Sequence, residues 1–207
     1  IYPDFLLDLV AIGTVADMVS LTDENRIFVK QGIELLNEDP RIGIKMLLEL
    51  SNITTNIDEQ TIGFYIAPKL NSIGRMDSAK VGLSFLMAED ASVAKSLAEQ
   101  IEEYNVQRKE VTENIVKDVI ETIENNDIKN KSVIMVSGDY HEGVLGIVAS
   151  NIVEKYQRPV LIMNNKEGIL KGSARSVFDF NIYTAINKIG DKFIAYGGHT
   201  LAAGFSF

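Results

Sequence analysis

The carboxylate of Asp17 is the first group in the sequence with a possible chemical role. It ends a small, apolar, glycine-containing run that begins at Ala11. Hard divalent cations prefer carboxylate oxygens at the edge of a dry pocket, so Asp17 is a candidate metal ligand. The alternative is an aspartate that ends a helix and caps the next turn. No other Asp or His cluster stands at ligand spacing, so we expect residues outside this chain to complete any metal site.

The polar segment 71–77 is expected to form a loop that contacts phosphate. It carries Asn71 and Arg75 on either side of Gly74. Backbone N–H groups around a glycine and the forked guanidinium of an arginine both suit an anionic oxygen. A surface turn in which Arg75 pairs with Asp77 explains the same residues.

His141 stands between a predicted strand and a predicted helix that opens at Val144. The N-terminus of a helix favours anions, which makes His141 a candidate phosphate contact. A histidine that caps the helix, or that is satisfied in the core, is the alternative.

Two glycine-containing segments near the C-terminus could also hold a phosphate. Gly197 and Gly198 precede His199, and paired glycines let backbone N–H groups approach a ligand closely. Ser173 and Arg175 offer a hydroxyl and a guanidinium among small residues at the end of a predicted strand. A tight turn before a strand is the alternative for the glycine pair.

The elements that must position these residues follow from apolar spacing. Residues 1–88 show helix-period spacing broken by turn signals, which predicts several short helices. Residues 90–126 lack Gly and Pro, and their narrow apolar stripe predicts one connector helix, roughly 55 Å long, between two lobes. From residue 131, strands alternate with helices, as in a βαβ unit with a partly parallel sheet. The predicted strands are 132–136, 160–163, 170–175 and 203–207, and the predicted helices are 144–156 and 182–189.

Composition narrows the possible classes of protein. The 207 residues are 46% hydrophobic and contain no cysteine, which excludes a disulfide scaffold and a thiolate zinc site. The apolar runs fall far short of the roughly 18 residues that span a membrane, so we expect no membrane partner. The first residue, Ile1, and the absence of a leader pattern indicate a piece of a longer polypeptide.

The charge of the chain argues against general polyanion binding. Twenty basic and 29 acidic residues give a net charge of −9. Residues 131–207, with 8 Lys and Arg against 6 Asp and Glu, are slightly basic. Any nucleic-acid binding must therefore be local.

Taken together and in order, five strings resemble the bacterial RecJ proteins, which are single-strand-specific 5′ to 3′ DNA exonucleases of the DHH phosphoesterase superfamily. The resemblance covers essentially the whole chain. The strings are GTVAD (13–17), IAPKLNSIGRM (66–76), HEGVLGIVAS (141–150), GSARS (172–176) and GGHTLAAGF (197–205).

The resemblance implies an α/β fold in four parts. Residues 1–25 would be the end of the catalytic DHH domain and 26–89 a helical core region. Residues 90–130 would form the long connector helix, and 131–207 the mixed α/β DHH-associated domain that binds substrate. Apolar residues near the N-terminus, namely Leu6, Leu9, Val10 and Ile12, would form an exposed patch or a dimer contact.

The resemblance also implies a reaction and its residues. Two Mn²⁺ or Mg²⁺ ions would activate a water at the scissile phosphodiester, with Asp17 holding one ion and His199 bonding the reacting phosphate. Because the other metal ligands are absent, the fragment alone is expected to be inactive. Ser173 and Arg175 would line a pocket for the 5′ phosphate. The expected substrate-binding residues are Asn71, Arg75, Arg108, His141, Ser173, Arg175, Gly197 and Gly198.

The implied setting is DNA repair and recombination in the cytoplasm, with single-stranded DNA as substrate and a helicase and a single-strand-binding protein as partners. Other functions stay open. One is a DHH-family phosphodiesterase acting on short oligonucleotides or cyclic dinucleotides, although segment 66–76 and the long helix favour the exonuclease. Another is a nucleic-acid-binding module without catalysis, and the last is an unrelated α/β domain.

Overall fold

The computed structural model describes residues 3–166 and 168–207. The chain divides into two compact units, Ile1–Gln107 and Arg108–Phe207. The first unit is helical, and the second combines helices with a five-stranded sheet. The α/β class predicted from the sequence, with its helical N-terminal part and mixed α/β C-terminal part, is confirmed. None of the helices in the described ranges is long and apolar enough to cross a membrane.

The first unit consists of short helices, as the apolar spacing predicts, and of the first part of the 35-residue helix Ala91–Asn125, which continues into the second unit. Between α4 and α5 the helix continues through a π-helical turn, Ile62–Ile66. The helices are α1 Leu7–Ala16, α2 Asp23–Glu38, α3 Ile42–Leu50, α4 Glu59–Thr61, α5 Ala67–Met76, α6 Lys80–Leu86 and α7 Ala91–Asn125.

The prediction of a loop over residues 71–77 is wrong, because α5 runs to Met76. Pro68 lies in the first turn of α5, where its missing N–H costs nothing. Ile73 is buried in the core, whereas Asn71 and Gly74 are exposed. The segment looked like a loop because Asn71 and Arg75 lie toward solvent on an amphipathic helix, while the small polar residue Ser72 is buried.

Helix α1 packs closely on α2 at Gly32. A Cβ atom on Gly32 would lie 2.1 Å from the backbone oxygen of Leu7, so only glycine fits this crossing. Leu6 and Val10 are each 39% exposed, as the prediction of an apolar patch requires, but Ile12 is buried in the core. The prediction is therefore wrong for Ile12, which the crossing of α1 and α2 turns inward.

The long helix predicted over 90–126 is confirmed as α7. Ala94, Ala98 and Ile101 are buried in the first unit, and Val119 and Ile123 are buried in the second. Within each unit these residues are three or four positions apart, which is the spacing of one helical face.

The sheet of the second unit has the order β1-β2-β3-β5-β4. β1 and β2 are parallel and are connected through helix α8, Leu145–Tyr156, whereas the other pairs are antiparallel. The predicted partly parallel sheet is thus confirmed. The last helix is α9, Ile182–Asn187. The strands are β1 Ile134–Gly138, β2 Val160–Lys166, β3 Ile169–Arg175, β4 Ala195–His199 and β5 Ala202–Ser206.

Strand β4 is absent from the sequence prediction, which treats its glycines as a turn. Glycine is depleted in strands, so Gly197 and Gly198 hide the strand from a propensity argument. The ladder with β5 stabilises β4 through main-chain hydrogen bonds that need no side chain.

The two faces of the sheet differ in cover. Helix α8 packs on β2 and β3 from one side, and α9 packs on β4 and β5. The apolar cluster beside α9 includes Ala174, Ile182, Ala203 and Phe205. On the face opposite this cluster, α8 covers β2 and β3, and the sheet is open at the glycines of β5 and β4.

Candidate nucleic-acid interface

The centre of the site is a row of small residues across β3, β5 and β4. Ser173 pairs with Gly204, and Gly204 pairs with Gly197. Directly paired residues of antiparallel strands project on the same face. A Cβ atom built on Gly204 or on Gly197 would have no other atom within 4 Å, so the space above both glycines is open. Because neither glycine has a side chain, a ligand can approach the backbone closely at both positions.

The next row of the same face carries charge and an imidazole. Arg175 pairs with Ala202, which pairs with His199. Because residues two apart on a strand project to the same side, Arg175 lies on the face of Ser173. The structure thus brings together Ser173, Arg175, Gly197 and His199, which the sequence singles out but cannot place.

Gly198 differs from its neighbour. Alternation puts it on the opposite face, where a Cβ atom would lie 2.3 Å from the backbone oxygen of Ala202. Its small size serves the close approach of β4 and β5. Of the glycine pair, only Gly197 leaves space on the face of Arg175.

Arg175 is held by its own strand. Its Nη1 donates to Ser173 Oγ at 2.9 Å and to the Ala174 carbonyl at 2.8 Å. A Cβ atom on Gly146, in the first turn of α8, would lie 2.7 Å from Arg175 Nη2. The guanidinium therefore packs against the positive end of the α8 dipole, a combination that attracts anions. Sequence reasoning missed Gly146, whose only signal is a glycine in the second position of a helix.

His141 caps a short helix, which is one of the alternatives that the sequence leaves open. Its Nδ1 accepts from the Gly143 N–H at 3.2 Å and so caps the short 3-10 helix Glu142–Val144. The side chain is exposed. Substrate contact by His141 stays a prediction.

Lys171 extends the polar face by one more position along β3, and sequence reasoning missed it. Its spacing of two from Ser173 is the signal that could have found it. Lys171 Nζ lies 3.2 Å from Glu142 Oε2, and Glu142 also receives a long bond of 3.4 Å from Asn164. Because surface ion pairs are weak, the exposed pair with Glu142 leaves Lys171 able to contact an anion as well.

In the first unit, Asp17 directly follows α1. Its backbone N–H donates to the Gly13 carbonyl at 3.0 Å, and its carboxylate is exposed. The chain neighbours Ala16 and Met18 line a surface cavity of about 360 Å³ together with Asn71. Asn71 is thus placed beside the segment that carries Asp17.

Arg75 lies one turn beyond Asn71 on α5, close to a hydrogen-bonded contact with α7. The hydroxyl of Tyr104 donates to Asp77 and accepts from Gln100 Nε2, 2.9 Å away. The bond from Tyr104 lowers the pKa of Asp77, and the same bond raises the pKa of Tyr104. It fastens the end of α5, and with it Arg75, to α7.

Arg108 belongs to the second unit and is half-buried on α7. Its backbone oxygen accepts from Thr112 Oγ1 at 2.7 Å. Asn105, three positions earlier on α7, is buried in the first unit.

Within the described ranges, no group of three His, Cys, Asp or Glu side chains could hold a metal ion. A pair of divalent ions requires several oxygen or nitrogen ligands. The residues that the structure describes do not fit a two-ion centre, and Asp17 can supply one carboxylate at most.

Comparisons with known proteins show which proteins the chain resembles. Residues 129–207 match the DHHA1 domain. The single-stranded-DNA-specific exonuclease RecJ of Bacillus subtilis (strain 168) is 38% identical over 99% of this chain and 26% of its own length. That of Haemophilus influenzae is 37% identical over 99% of this chain and 38% of its own length. The crystal structure of RecJ in complex with Mn²⁺ from Thermus thermophilus matches with a TM-score of 0.88. The two sequences are 30% identical, and the match covers 99% of this chain and 30% of the Thermus thermophilus chain.

The region that bears the open sheet face, residues 129–207, thus matches the family model of the DHHA1 domain. The chain as a whole is similar to RecJ proteins along nearly its entire length. It spans between about a quarter and two fifths of the length of these curated relatives.

Proposed function

We propose that this chain is the strand-binding part of a single-stranded-DNA-specific exonuclease that hydrolyses phosphodiester bonds from the 5′ end. The observation that carries the proposal is the open face of β3, β5 and β4. There Ser173, Arg175 and His199 surround a backbone bare of side chains at Gly197 and Gly204. The names of the RecJ relatives support the same substrate.

The 5′ phosphate would bind at Ser173 and Arg175, next to the first turn of α8. A guanidinium offers two parallel N–H bonds to phosphate oxygens, and the helix terminus adds a fixed positive potential. His199, two residues from the open backbone position of Gly197 along the same strand, would donate to the phosphate that reacts. Asn71, Arg75, Arg108 and His141 are proposed as further contacts to the strand.

Metal chemistry in this proposal depends on ligands beyond the described residues. The Thermus thermophilus relative is described in complex with Mn²⁺, and we propose that the reaction uses Mn²⁺ or Mg²⁺ with Asp17 as one ligand. Because the described part of the chain does not fit a two-ion centre, we expect the 207 residues alone to bind a strand without cutting it. The proposed setting is cytoplasmic DNA repair and recombination, with a helicase and a single-strand-binding protein as partners.

Binding is tested with the chain itself. Fluorescence anisotropy would compare a 5′-phosphorylated labelled single strand, its 5′-hydroxyl form and the duplex. We expect the phosphorylated single strand to bind most tightly and Arg175→Gln to remove the preference for the 5′ phosphate. Equal affinity for single strand and duplex would contradict the proposal.

Catalysis is tested with a chimera of Bacillus subtilis RecJ in which the matching segment is replaced by this chain. We expect Mn²⁺-dependent shortening from the 5′ end, which Asp17→Ala abolishes, while Asp39→Ala on the exposed end of α2 leaves it unchanged. A folded chimera that cleaves only dinucleotides would favour the small-substrate phosphodiesterase.

The second candidate is a binding module without catalysis, favoured by the lack of a metal-binding group in the described ranges. A folded chimera that binds the strand but leaves it intact would support this candidate instead.

A further inference from the structure

Phe178 is the most exposed aromatic side chain of the described residues, with 88% of its surface open to solvent. It lies between β3 and α9, three residues after Arg175. Exposure of this extent excludes a role in the core. A single exposed apolar residue is ordinary in itself, so the position of Phe178 carries the argument.

The turn that presents Phe178 is held by hydrogen bonds. The Phe180 N–H donates to the Val177 carbonyl at 3.1 Å, which puts Phe178 at the tip of a tight turn. Ser176 Oγ donates to the Phe180 carbonyl at 2.7 Å and closes the turn further.

The same turn is tied to the far end of the open face. The Ser176 N–H donates to the Leu201 carbonyl at 2.9 Å, in the connection between β4 and β5 that directly follows His199. The Phe178 turn therefore borders the row of Arg175 and His199. Three residues of chain reach at most about 11 Å, so the Cα atom of Phe178 lies within that distance of the Cα atom of Arg175.

We propose that Phe178 stacks on a base of a single strand whose phosphate lies at Arg175. The inference rests on the proposed strand-binding function and adds a contact to the bases. Arg175 attracts the phosphate, whereas the exposed carboxylate of Asp179, next to Phe178, repels it. A strand on this face therefore turns its bases toward the turn. An aromatic ring accepts any base, because every base has a π-face.

The chain contains no tryptophan, which gives a direct test. Phe178→Trp introduces one indole at the proposed contact. Ile194→Trp introduces the control indole at a residue that is 72% exposed and that directly precedes β4, at the end of the strand away from His199. Each variant is titrated with oligothymidylate and with an abasic strand of equal length and phosphate number. We expect quenching only for Phe178→Trp with the base-containing strand.

Affinity gives the second measurement. Stacking contributes roughly 1–3 kcal/mol per base, so Phe178→Ala should weaken oligothymidylate binding about 5- to 150-fold. The abasic strand should bind the wild type and Phe178→Ala equally.

Three outcomes would overturn the inference, and they separate it from the proposed function. If the wild type binds both strands equally well and Arg175→Gln weakens both, the phosphate site stands and stacking fails. If Phe178→Ala keeps the preference for bases, another residue stacks and the inference fails. If neither strand binds, the inference and the proposed function fail together.

Discussion

At the scale of single residues, the site depends on glycines, which lack side chains, as much as on the polar side chains around them. Gly146 lets the Arg175 guanidinium lie against the first turn of α8, and Gly197 and Gly204 leave the sheet bare beside it. The bond of 2.9 Å from Arg175 Nη1 to Ser173 Oγ fixes the guanidinium on this face. An added methyl group should therefore change binding more than it changes stability.

Gly146→Ala tests this expectation. The new Cβ would meet the end of a flexible side chain at 2.7 Å, so Arg175 should move while the fold stays intact. We expect weaker binding of a 5′-phosphorylated strand in anisotropy, by roughly tenfold if one charge-assisted bond is lost. The thermal unfolding curve should shift little. Unchanged affinity would show that Arg175 does not hold the 5′ phosphate in this position.

At the scale of elements, helices α1 and α2 meet too closely for any residue but glycine at position 32. Gly32→Ala would push a methyl group into the backbone of α1, where Leu7 cannot give way. We expect a loss of roughly 1–3 kcal/mol or more in the free energy of unfolding, measured by urea denaturation.

Gly74→Ala is the matched control on α5. Its Cβ would meet nothing within 4 Å, so the lower backbone entropy of the unfolded chain should stabilise the protein by roughly 0.5–1 kcal/mol. If both substitutions had the same effect, the crossing of α1 and α2 would not be as tight as the structure shows.

Two tyrosines form hydrogen bonds between the C-terminal half of α7 and the rest of the second unit. Tyr140 donates to Asp118 at 2.5 Å, and Tyr156 donates to Glu124 at 2.9 Å. Burial, followed by the bond to Asp118, raises the pKa of Tyr140. Burial, followed by the bond to Glu124, raises the pKa of Tyr156 to about 12. In the folded protein both hydroxyls therefore keep their protons to a higher pH than in the unfolded chain.

This difference predicts a loss of stability in alkali. An unfolded tyrosine has a pKa of about 10, so the contribution of Tyr156 is fully present below about pH 10. It is lost as the pH rises through the folded value of about 12. We expect the urea midpoint to fall over this range, and to fall less steeply in the double variant Tyr140→Phe/Tyr156→Phe. Parallel pH profiles for the two proteins would contradict the assignment.

At the scale of the whole molecule, a chain with a net charge of −9 is proposed to bind a polyanion. Binding must rest on a few cations, since the described sheet face carries Arg175 and the partly paired Lys171. A single strand short enough to contact this face alone would neutralise about two phosphates, which predicts a slope near −1.4 for log K against log salt. A longer strand that also reaches Arg75 and Arg108 should show a steeper slope.

The salt dependence is measured by anisotropy with a single strand over a range of NaCl concentrations. Arg175→Gln should reduce the slope by about 0.7, the value for one phosphate. Lys188→Gln, an exposed lysine just after α9, serves as the control and should leave the slope unchanged. A wild-type slope several times steeper would indicate a wider basic surface than this face provides.

Much of the fold could be predicted from the sequence because it depends on local periodicity. The long helix α7 follows from a Gly- and Pro-free amphipathic run, and β1, α8 and β2 follow from a strand-helix-strand pattern. Each of these elements places its apolar residues on one side, and that spacing is written in the chain itself.

Residue chemistry was also visible in the sequence, but its placement was not. Ser173, Arg175 and His199 stand out by type, whereas their common face depends on the pairing of β3 with β5 and of β5 with β4. Register between strands is a long-range property, because it joins residues far apart in sequence through main-chain bonds. The same reason hid β4, whose glycines have little strand preference without a partner.

The sequence by itself thus determined the fold class, the long helix and the residue types that can bind a phosphate. Only the tertiary structure decided that segment 71–77 is helical as far as Met76, that Ile12 faces the core and that Gly197, unlike Gly198, opens onto the face of Arg175. The physical reason is that local spacing specifies which way a side chain points within its own element. The neighbours that it then meets depend on how separate elements pack.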